Sequence, residues 1–491
     1  MTRRGFLAAG AAPLIAQPKK RPNILFVIAD DWGYGHAGAY GSKWVQTPGF
    51  DRVARQGVLF NNTFTSNPKC SPCRATILTG RNSWQTKEAV NHFGIFPHDF
   101  AVYPQVLEDA GYFVGLTGKG WGPGDFKSTG WAHNPAGREW RKRTLNPPTT
   151  GINRLDYAGN FEDFLTERPG GKPFCFWLGG TEPHRAYEPG SGLRAGKRLE
   201  DVVVPKYLPD NRTVRSDMLD YALEVEWFDK HVVRALDLVE KRGELDNTLV
   251  VVTSDHGMPF PRVKGQIYDA GFRIPLAVMW GTNIKAGRVM DDFINTRDFA
   301  PTFCEAAGVE AAGTMTGASF LKVLTSGQSG IVDASRNTML VGKERHDIGR
   351  PYDAGYPVRA IRTPDYLYVR NYTPDAWPAG NPETGYRNCD DGPTKENVLA
   401  TFNDFYRMAF GKRPAEELYS IKDDPDNIVN LATDAKYADM KRKLRERMEE
   451  TLRSEGDPRM LGRADFFDTI EYTGPKKHSY AEWLKYNGSQ R

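Results

Sequence analysis

The segment CSPCRATILTGR, residues 70–81, predicts a short helix with reactive chemistry at its amino-terminal end. Cys70 occupies the position of an N-cap, Pro72 falls in the first turn where its missing N–H costs little, and Gly80 fits the stop position. Cys70 would then lie at the positive end of the helix dipole, beside free backbone N–H groups that suit an anion. Arg74 is four residues further on and shares the same helix face. A nucleophile, an anion site and a cation are therefore expected within one helical turn.

The spacing Cys-x-Pro-x-Arg-x-x-x-Leu-Thr-Gly-Arg resembles the signature of type I sulfatases, which belong to the alkaline phosphatase superfamily. The resemblance implies that a maturation enzyme oxidises Cys70 to Cα-formylglycine. One hydroxyl of the hydrated aldehyde would attack sulfur, and the other would expel sulfate as the aldehyde forms again. The resemblance also implies a sulfated saccharide as substrate and one divalent cation, with Ca²⁺ expected first and Mg²⁺ second.

Cys70 and Cys73 also form a Cys-x-x-Cys motif, which could be a redox pair or half of a zinc site. A redox pair would be expected in a small thioredoxin-like βαβ context, and zinc would need a second pair of ligands. The other three cysteines are scattered at Cys175, Cys304 and Cys389. The sulfatase interpretation is favoured because seven positions agree at fixed spacing.

Two continuous apolar runs, NILFVIA at residues 23–29 and TLVVVT at 248–253, predict buried strands of a parallel sheet. Asp30-Asp31 ends the first run. Adjacent carboxylates repel unless a cation lies between them, although a lone Asp-Asp pair is ordinarily a turn or a helix cap. Polar residues at the ends of parallel strands gather at one edge, where α/β sheets build ligand sites. The resemblance assigns as metal ligands Asp30, Asp31, Asp255, His256 and the modified Cys70.

Three further positions match sulfatase motifs and complete the expected catalytic set with Cys70 and Arg74. Lys119 corresponds to the lysine that binds the sulfate in a Gly-Lys-x-His motif, but Trp121 stands where the histidine is expected. His184 resembles the second catalytic histidine, near the leaving oxygen, whereas a single loop histidine would otherwise be a surface residue. Lys264 lies in a segment that resembles the N-sulfoglucosamine sulfohydrolase (sulfamidase) branch, in which the corresponding basic residue lies on the sulfate.

The fold expected is α/β, with a large mixed, mainly parallel sheet flanked by helices over residues 22–335, as in alkaline phosphatase. Shorter segments over residues 336–491 predict a smaller C-terminal α+β subdomain with an antiparallel sheet and a terminal helix. In relatives this region closes over the sugar, so His346 and Arg350 are expected to bind substrate, with a solvated loop as the equal alternative.

A net charge of +4 fits an anionic substrate, and no run of Lys or Arg interleaved with aromatic residues indicates nucleic-acid binding. Residues 2–7, TRRGFL, resemble a twin-arginine export signal, and the apolar run that follows is too short to span a bilayer. Residues 1–21 are therefore predicted to be a signal and linker, and the enzyme to be periplasmic or secreted in a bacterium.

The function expected is hydrolysis of a sulfate ester or sulfamate on a carbohydrate, with N-sulfoglucosamine of heparan-type glycans as the first substrate. One alternative is an O-sulfatase for another sulfated polysaccharide. A second is a phosphonate or phosphodiester hydrolase of the same superfamily. A third, motivated by Trp121, is a catalytically silent relative that binds glycans.

Overall fold

The computed structural model of the protein describes residues 20–475 and 479–487, so the predicted export signal lies almost wholly outside the described residues. The strands are β1 (Asn23–Ala29), β2 (Val58–Phe64), β3 (Gly94–Ile95), β4 (Phe113–Gly118), β5 (Gly124–Asp125), β6 (Phe174–Gly179), β7 (Thr248–Ser254), β8 (Arg273–Met279), β9 (Arg288–Met290), β10 (Ile294–Asn295), β11 (Met339–Lys343), β12 (Val358–Arg362), β13 (Tyr366–Asn371) and β14 (Glu416–Ser420).

The α-helices, joined by loops and short 3₁₀ turns, are α1 (Pro48–Gln56), α2 (Cys70–Thr79), α3 (Tyr103–Asp109), α4 (Tyr157–Glu167), α5 (Ser191–Arg194), α6 (Arg212–Lys241), α7 (Asp269–Phe272), α8 (Phe299–Ala306), α9 (Leu321–Thr325), α10 (Pro393–Thr401), α11 (Asp404–Phe410), α12 (Ala438–Ser454), α13 (Phe466–Thr469) and α14 (Tyr480–Asn487). No helix in the described part of the chain is long and apolar enough to cross a membrane.

The large sheet has the order β10-β2-β8-β7-β1-β6-β4, with β9 beside β2. Its strand pairs are parallel except for the two that β8 makes with β2 and β7. The predicted mixed, mainly parallel sheet is confirmed, and the two apolar runs form the neighbouring strands β1 and β7.

Both faces of this sheet are covered, because successive side chains of a strand point to opposite faces. Leu25 and Val27 belong to the core that α6 covers. Phe26 points to the other face, where its ring lies 5.8 Å from that of Phe299 and 5.5 Å from that of Phe303 in α8. Burial on both faces is the physical reason that β1 is apolar throughout.

The predicted C-terminal antiparallel sheet is also confirmed, with the order β11-β12-β13-β14. Its last strand, β14, had not been predicted as a strand. The segment that joins β13 to β14 includes α10 and α11, and the loop before α10 reaches the site described below.

Helix α2 is buried along its whole length and ends at Gly80, whose φ of 62° is the left-handed conformation expected of a stop residue. The N-cap is Lys69, with extended backbone, so the assignment of Cys70 to that position is wrong by one residue. Cys70 is the first helical residue. It therefore still lies at the positive end of the helix dipole.

Candidate active site

Four neighbouring strands end at the same edge of the large sheet and place the candidate site there. Ala29 of β1 pairs with Ser254 of β7, so Asp30 and Asp255 follow side by side. On the other flank, Gly118 of β4 pairs with Gly179 of β6, so Lys119 emerges at the same edge. Ligand sites of parallel α/β sheets form at this carboxyl edge.

A cluster of four potential metal ligands lies at this edge. One ligand atom from each of Asp30, Asp31, Cys70 and His256 falls within 4.8 Å of the others, and all four side chains are buried. The Sγ atom of Cys70 lies 3.4 Å from Oδ1 of Asp30 and 3.4 Å from Nε2 of His256.

The hydrogen bonds of His256 show that these residues fit a cation. Its Nδ1 lies 3.1 Å from the carbonyl oxygen of Gly257 and must donate to it, which leaves a lone pair on Nε2. That Nε2 faces Oδ1 of Asp31 at 3.1 Å, and this buried oxygen accepts no hydrogen bond within the described residues. Two lone pairs at this distance repel unless a cation or proton lies between them. Carboxylate and imidazole donors suit a divalent cation.

Asp255 lies beside this cluster rather than within it, which differs from its predicted place as a ligand. Its Oδ2 accepts from Nε of Arg74 at 3.0 Å, and its Oδ1 accepts from the backbone N–H of Asp31 at 3.1 Å. Arg74 is fully buried and also donates to the carbonyl oxygen of Lys119 at 2.7 Å. Arg74 therefore holds carboxylates and backbone in place and does not line the cavity.

A cavity of about 570 Å³ opens above the cluster. It is lined by four of the predicted catalytic residues, Cys70, Lys119, His184 and Lys264. Lys119 forms an ion pair with Asp30, and Nζ of Lys264 lies 2.7 Å from Oδ2 of Asp31. Two fixed ammonium groups therefore face the space above residue 70.

Burial and neighbouring charges control protonation in this site. Burial raises the pKa of the Cys70 thiol to about 12, and the nearby Asp30 carboxylate adds to the effect. Burial alone would also raise the pKa of Asp30, but Lys119 and Arg74 hold it well below its usual range. The unmodified thiol is thus protonated at neutral pH, which is unlike the reactive cysteine of a redox pair.

His184 and Trp121 have different surroundings. Nδ1 of His184 lies 2.6 Å from the carbonyl oxygen of Arg185, so it donates there and leaves Nε2 for the cavity. Trp121 is buried in the core, where its indole N–H donates to the carbonyl oxygen of Ser71 at 3.0 Å. Trp121 does not line the cavity, so it corresponds to the histidine of the Gly-Lys-x-His motif in sequence position but not in location.

The two residues expected to bind substrate do not line the cavity, so this expectation is wrong in its geometry. Nε2 of His346 lies 2.7 Å from Oδ1 of Asn67, and burial holds the pKa of this imidazole well below its usual range. Arg350 is buried and donates to backbone carbonyls, including that of Trp377 at 2.7 Å. The neighbour of His346, Asp347, lines the cavity instead.

Several cavity residues had no signal in the sequence that would have identified them. Asp347 bridges two of them, with Oδ1 at 2.6 Å from Nδ1 of His92 and Oδ2 at 2.8 Å from Nζ of Lys69. Lys69 is the exception, because it directly precedes Cys70 in the sequence. Arg387, Asp390 and Tyr472 come from loops far away in the chain and complete the wall.

The fold and the site together define a hydrolase of the α/β class, in which a buried cluster of potential metal ligands and two lysines surround a residue at a helix start. The chain belongs to the sulfatase family: the family model described as Sulfatase matches residues 22–309. A second model, N-sulphoglucosamine sulphohydrolase, C-terminal, matches residues 260–377. The protein is therefore a sulfuric ester hydrolase of this family.

Curated relatives agree with this assignment, and a solved structure agrees with the fold. The chain is 28% identical to an ulvan-active sulfatase of Formosa agariphila over 89% of its own length and 81% of the relative's. It is 26% identical to the human N-sulphoglucosamine sulphohydrolase, over 88% and 90% of the two chains. A solved structure in complex with its substrate, D-glucosamine-2-N,6-O-disulfate, matches with a TM-score of 0.65 at 23% identity, over 89% of this chain and 99% of that one.

Proposed function

We propose that this enzyme hydrolyses a sulfate ester or sulfamate of a carbohydrate through a formylglycine made from Cys70, with N-sulfoglucosamine at the end of a heparan-type chain as its first substrate. The observation that carries the proposal is the position of Cys70 at the start of the buried helix α2, 3.4 Å from both Asp30 and His256, in one cavity with Lys119 and Lys264. The match of residues 260–377 to the sulfamidase C-terminal model supports the choice of substrate.

In this mechanism the chain supplies charge and orientation. A divalent cation, Ca²⁺ by preference, held by Asp30, Asp31, His256 and the oxygen of residue 70, would lower the pKa of that hydroxyl and polarise the S–O bonds. Lys119 and Lys264 would leave their carboxylate partners to share the sulfate oxygens, where negative charge grows in the transition state. Removing one such preorganised charge costs about 10²–10³-fold in kcat. Arg74, which does not line the cavity, holds Asp30 and Asp255 in place through ion pairs.

His184 would act as the general acid. Its Nδ1–H is bound to the Arg185 carbonyl, so the proton for the leaving oxygen or nitrogen must come from Nε2. A positioned proton donor contributes about 10²–10⁴-fold.

The second candidate is an O-sulfatase for another sulfated polysaccharide, which the identity with an ulvan-active sulfatase favours. Sulfate release from a panel of N-sulfated and O-sulfated mono- and disaccharides separates the two candidates. A matched phosphorylated substrate in the same panel covers the phosphohydrolase alternative, and preference for it would contradict the proposal.

Paired cysteine variants test the nucleophile. Cys70→Ala is expected to abolish turnover, whereas Cys73→Ser is expected to stay within a few-fold of the wild type. The mass of the peptide that contains residue 70, from protein made in its native host, is expected to match formylglycine. An unmodified thiol there would contradict the proposal, and inactivation by Cys73→Ser would favour a redox pair.

We also propose that the enzyme is exported from the bacterial cell by the twin-arginine route. Replacing Arg3 and Arg4 with lysine is expected to leave the protein in the cytoplasmic fraction, and unchanged export would contradict this.

A further inference from the structure

The charged side chains that line the active-site cavity are paired with opposite charges, with a single exception within the described residues. The pairs are Lys69 with Asp347, Lys119 with Asp30, Lys264 with Asp31 and Asp390, and Asp391 with Lys395. The acids of the wall are thereby neutralised by lysines. Lys119 and Lys264 are assigned to the reacting sulfate, so the charge for a further anionic group must come from elsewhere.

The exception is Arg387. Its side chain lines the cavity, yet its guanidinium makes no hydrogen bond or ion pair with any residue in 20–475 or 479–487. Its Cβ lies close to the backbone of Gly349: a Cβ added to that glycine would be only 2.8 Å from Cβ of Arg387. A guanidinium without a protein partner can bind an anion through two parallel N–H donors.

A second guanidinium, that of Arg345, lies at this end of the cavity, with the carboxylates of Asp353, Asp347 and Asp468 in its neighbourhood. Arg345 is 7% exposed, and its Nε and Nη2 are buried without a hydrogen-bond partner in the described part of the chain. Its Cζ lies 5.7 Å from the ring centre of Tyr472, which lines the cavity. Phe93 packs on the same ring, with the two ring centres 5.2 Å apart. Electrostatic attraction is stronger beside such apolar walls.

We propose that Arg387 binds a second anionic group of the substrate, either the carboxylate of a neighbouring uronic acid or a second sulfate, while the reacting sulfate lies at residue 70. This inference rests on the proposed function and extends it to a substrate class, the saccharides that carry two anionic groups. The cavity volume of about 570 Å³ leaves room for a sugar beside the reacting sulfate, since small-molecule sites span about 300–1,000 Å³.

The test compares a sulfated monosaccharide with two dianionic substrates, the same sugar with a second sulfate and a disaccharide with an adjacent uronic acid. Arg387→Gln is expected to reduce the preference in kcat/KM for dianionic over monoanionic substrate by about 10–100-fold, the usual effect of losing a charge-assisted hydrogen bond. The loss is expected in KM rather than in kcat. Arg387→Lys keeps the charge but loses the paired N–H donors of the guanidinium, and it is expected to recover part of the preference. Which dianionic substrate responds identifies the group bound.

Arg55→Gln removes the same charge from the exposed end of α1 and is expected to change nothing. Binding of the same saccharides to the Cys70→Ala protein separates this inference from the proposed function. If binding depends on Arg387 but the wild type releases no sulfate, the proposed function is wrong and the inference about Arg387 stands. If replacing Arg387 changes neither the turnover nor the binding of the two dianionic substrates, the inference is wrong.

Discussion

A single hydrogen bond determines which nitrogen of His184 is available for catalysis. His184 lines the cavity, and because its Nδ1 donates to the Arg185 carbonyl, Nε2 is the ring nitrogen left for a substrate. We expect His184→Ala to lower kcat by about 10²–10⁴-fold on a sugar sulfate, whose leaving group needs a proton. The loss should be much smaller on an aryl sulfate, whose phenolate leaves without one. Initial rates on the two substrates measure the difference.

His133 offers a matched control for that experiment. Its Nδ1 also lies close to a backbone carbonyl, that of Asn134 at 3.0 Å, but it does not line the cavity. His133→Ala should therefore leave both rates near the wild type. Equal losses on both substrates for His184→Ala would argue against a general acid.

Asp31 allows the cation site to be tested without disturbing the backbone. Its φ of 78° lies in the left-handed region, which Asn tolerates as well as Asp. We expect Ca²⁺ to raise the Tm of chelator-treated wild type in proportion to its saturation of the site, and to do so more than Mg²⁺. Asp31→Asn should remove this increase, since the buried Oδ1 that lacks a hydrogen bond becomes neutral.

Asp246→Asn supplies the control, because this exposed carboxylate precedes β7 and so lies at the opposite end of that strand from the cluster. It should keep the full response to Ca²⁺. A response that persists in Asp31→Asn would place the cation elsewhere.

At the scale of elements, the position of α2 depends on a contact made by Trp121. Its indole N–H donates to the Ser71 carbonyl in the first turn, and its ring packs 5.0 Å from that of Phe96. Trp121→Phe should keep most of the packing and lose the hydrogen bond, lowering the free energy of unfolding by about 1 kcal/mol. We expect kcat to fall less than tenfold, because the ring does not face the cavity. Denaturation and steady-state kinetics measure the two quantities.

Trp131→Phe is the matched comparison, because Trp131 also packs on Phe96, at 5.8 Å, and donates to a backbone carbonyl. It should cost similar stability and no activity. A loss of 10²-fold or more in kcat for Trp121→Phe alone would give Trp121 a direct catalytic role.

At the scale of the whole molecule, the buried carboxyl group of Glu224 in α6 contributes to the dependence of stability on pH, together with Asp229 of the same helix, whose pKa is raised by burial from 3.8 to about 7. Burial, with nearby Glu182, raises the pKa of Glu224 from 4.5 to about 9, and both of its oxygens lack hydrogen-bond partners in the described residues. The folded state therefore keeps a proton that the unfolded state releases. The contribution of Glu224 to the free energy of unfolding is complete below pH 4.5 and is lost as pH rises towards 9. The loss is up to about 1.4 kcal/mol per pH unit.

Glu224→Gln should flatten this decline, which urea denaturation at several pH values between 5 and 9 would measure. Glu240→Gln lies in the same helix, with an exposed side chain, and should leave the slope as in the wild type. An unchanged slope in Glu224→Gln would show that this group does not carry the effect.

Local chemistry explains which features could be predicted from the sequence. A strand buried on both faces must be apolar throughout, so β1 and β7 were visible as runs, and the polar residues that follow them had to meet at one edge. The helix at Cys70 carries its own start and stop residues, which made α2 predictable to within one position at its beginning.

The amino-acid sequence by itself thus determined the buried strands β1 and β7, the helix at Cys70 and the family, because each depends on neighbours a few residues apart. Only the tertiary structure decided which side chains face the cavity. Asp347 lines it while His346 is buried beside Asn67, and Arg387 reaches it from a loop more than three hundred residues after Cys70 in the sequence. The physical reason is that a side chain's direction and charge partners are set by packing between distant segments, which no local pattern records.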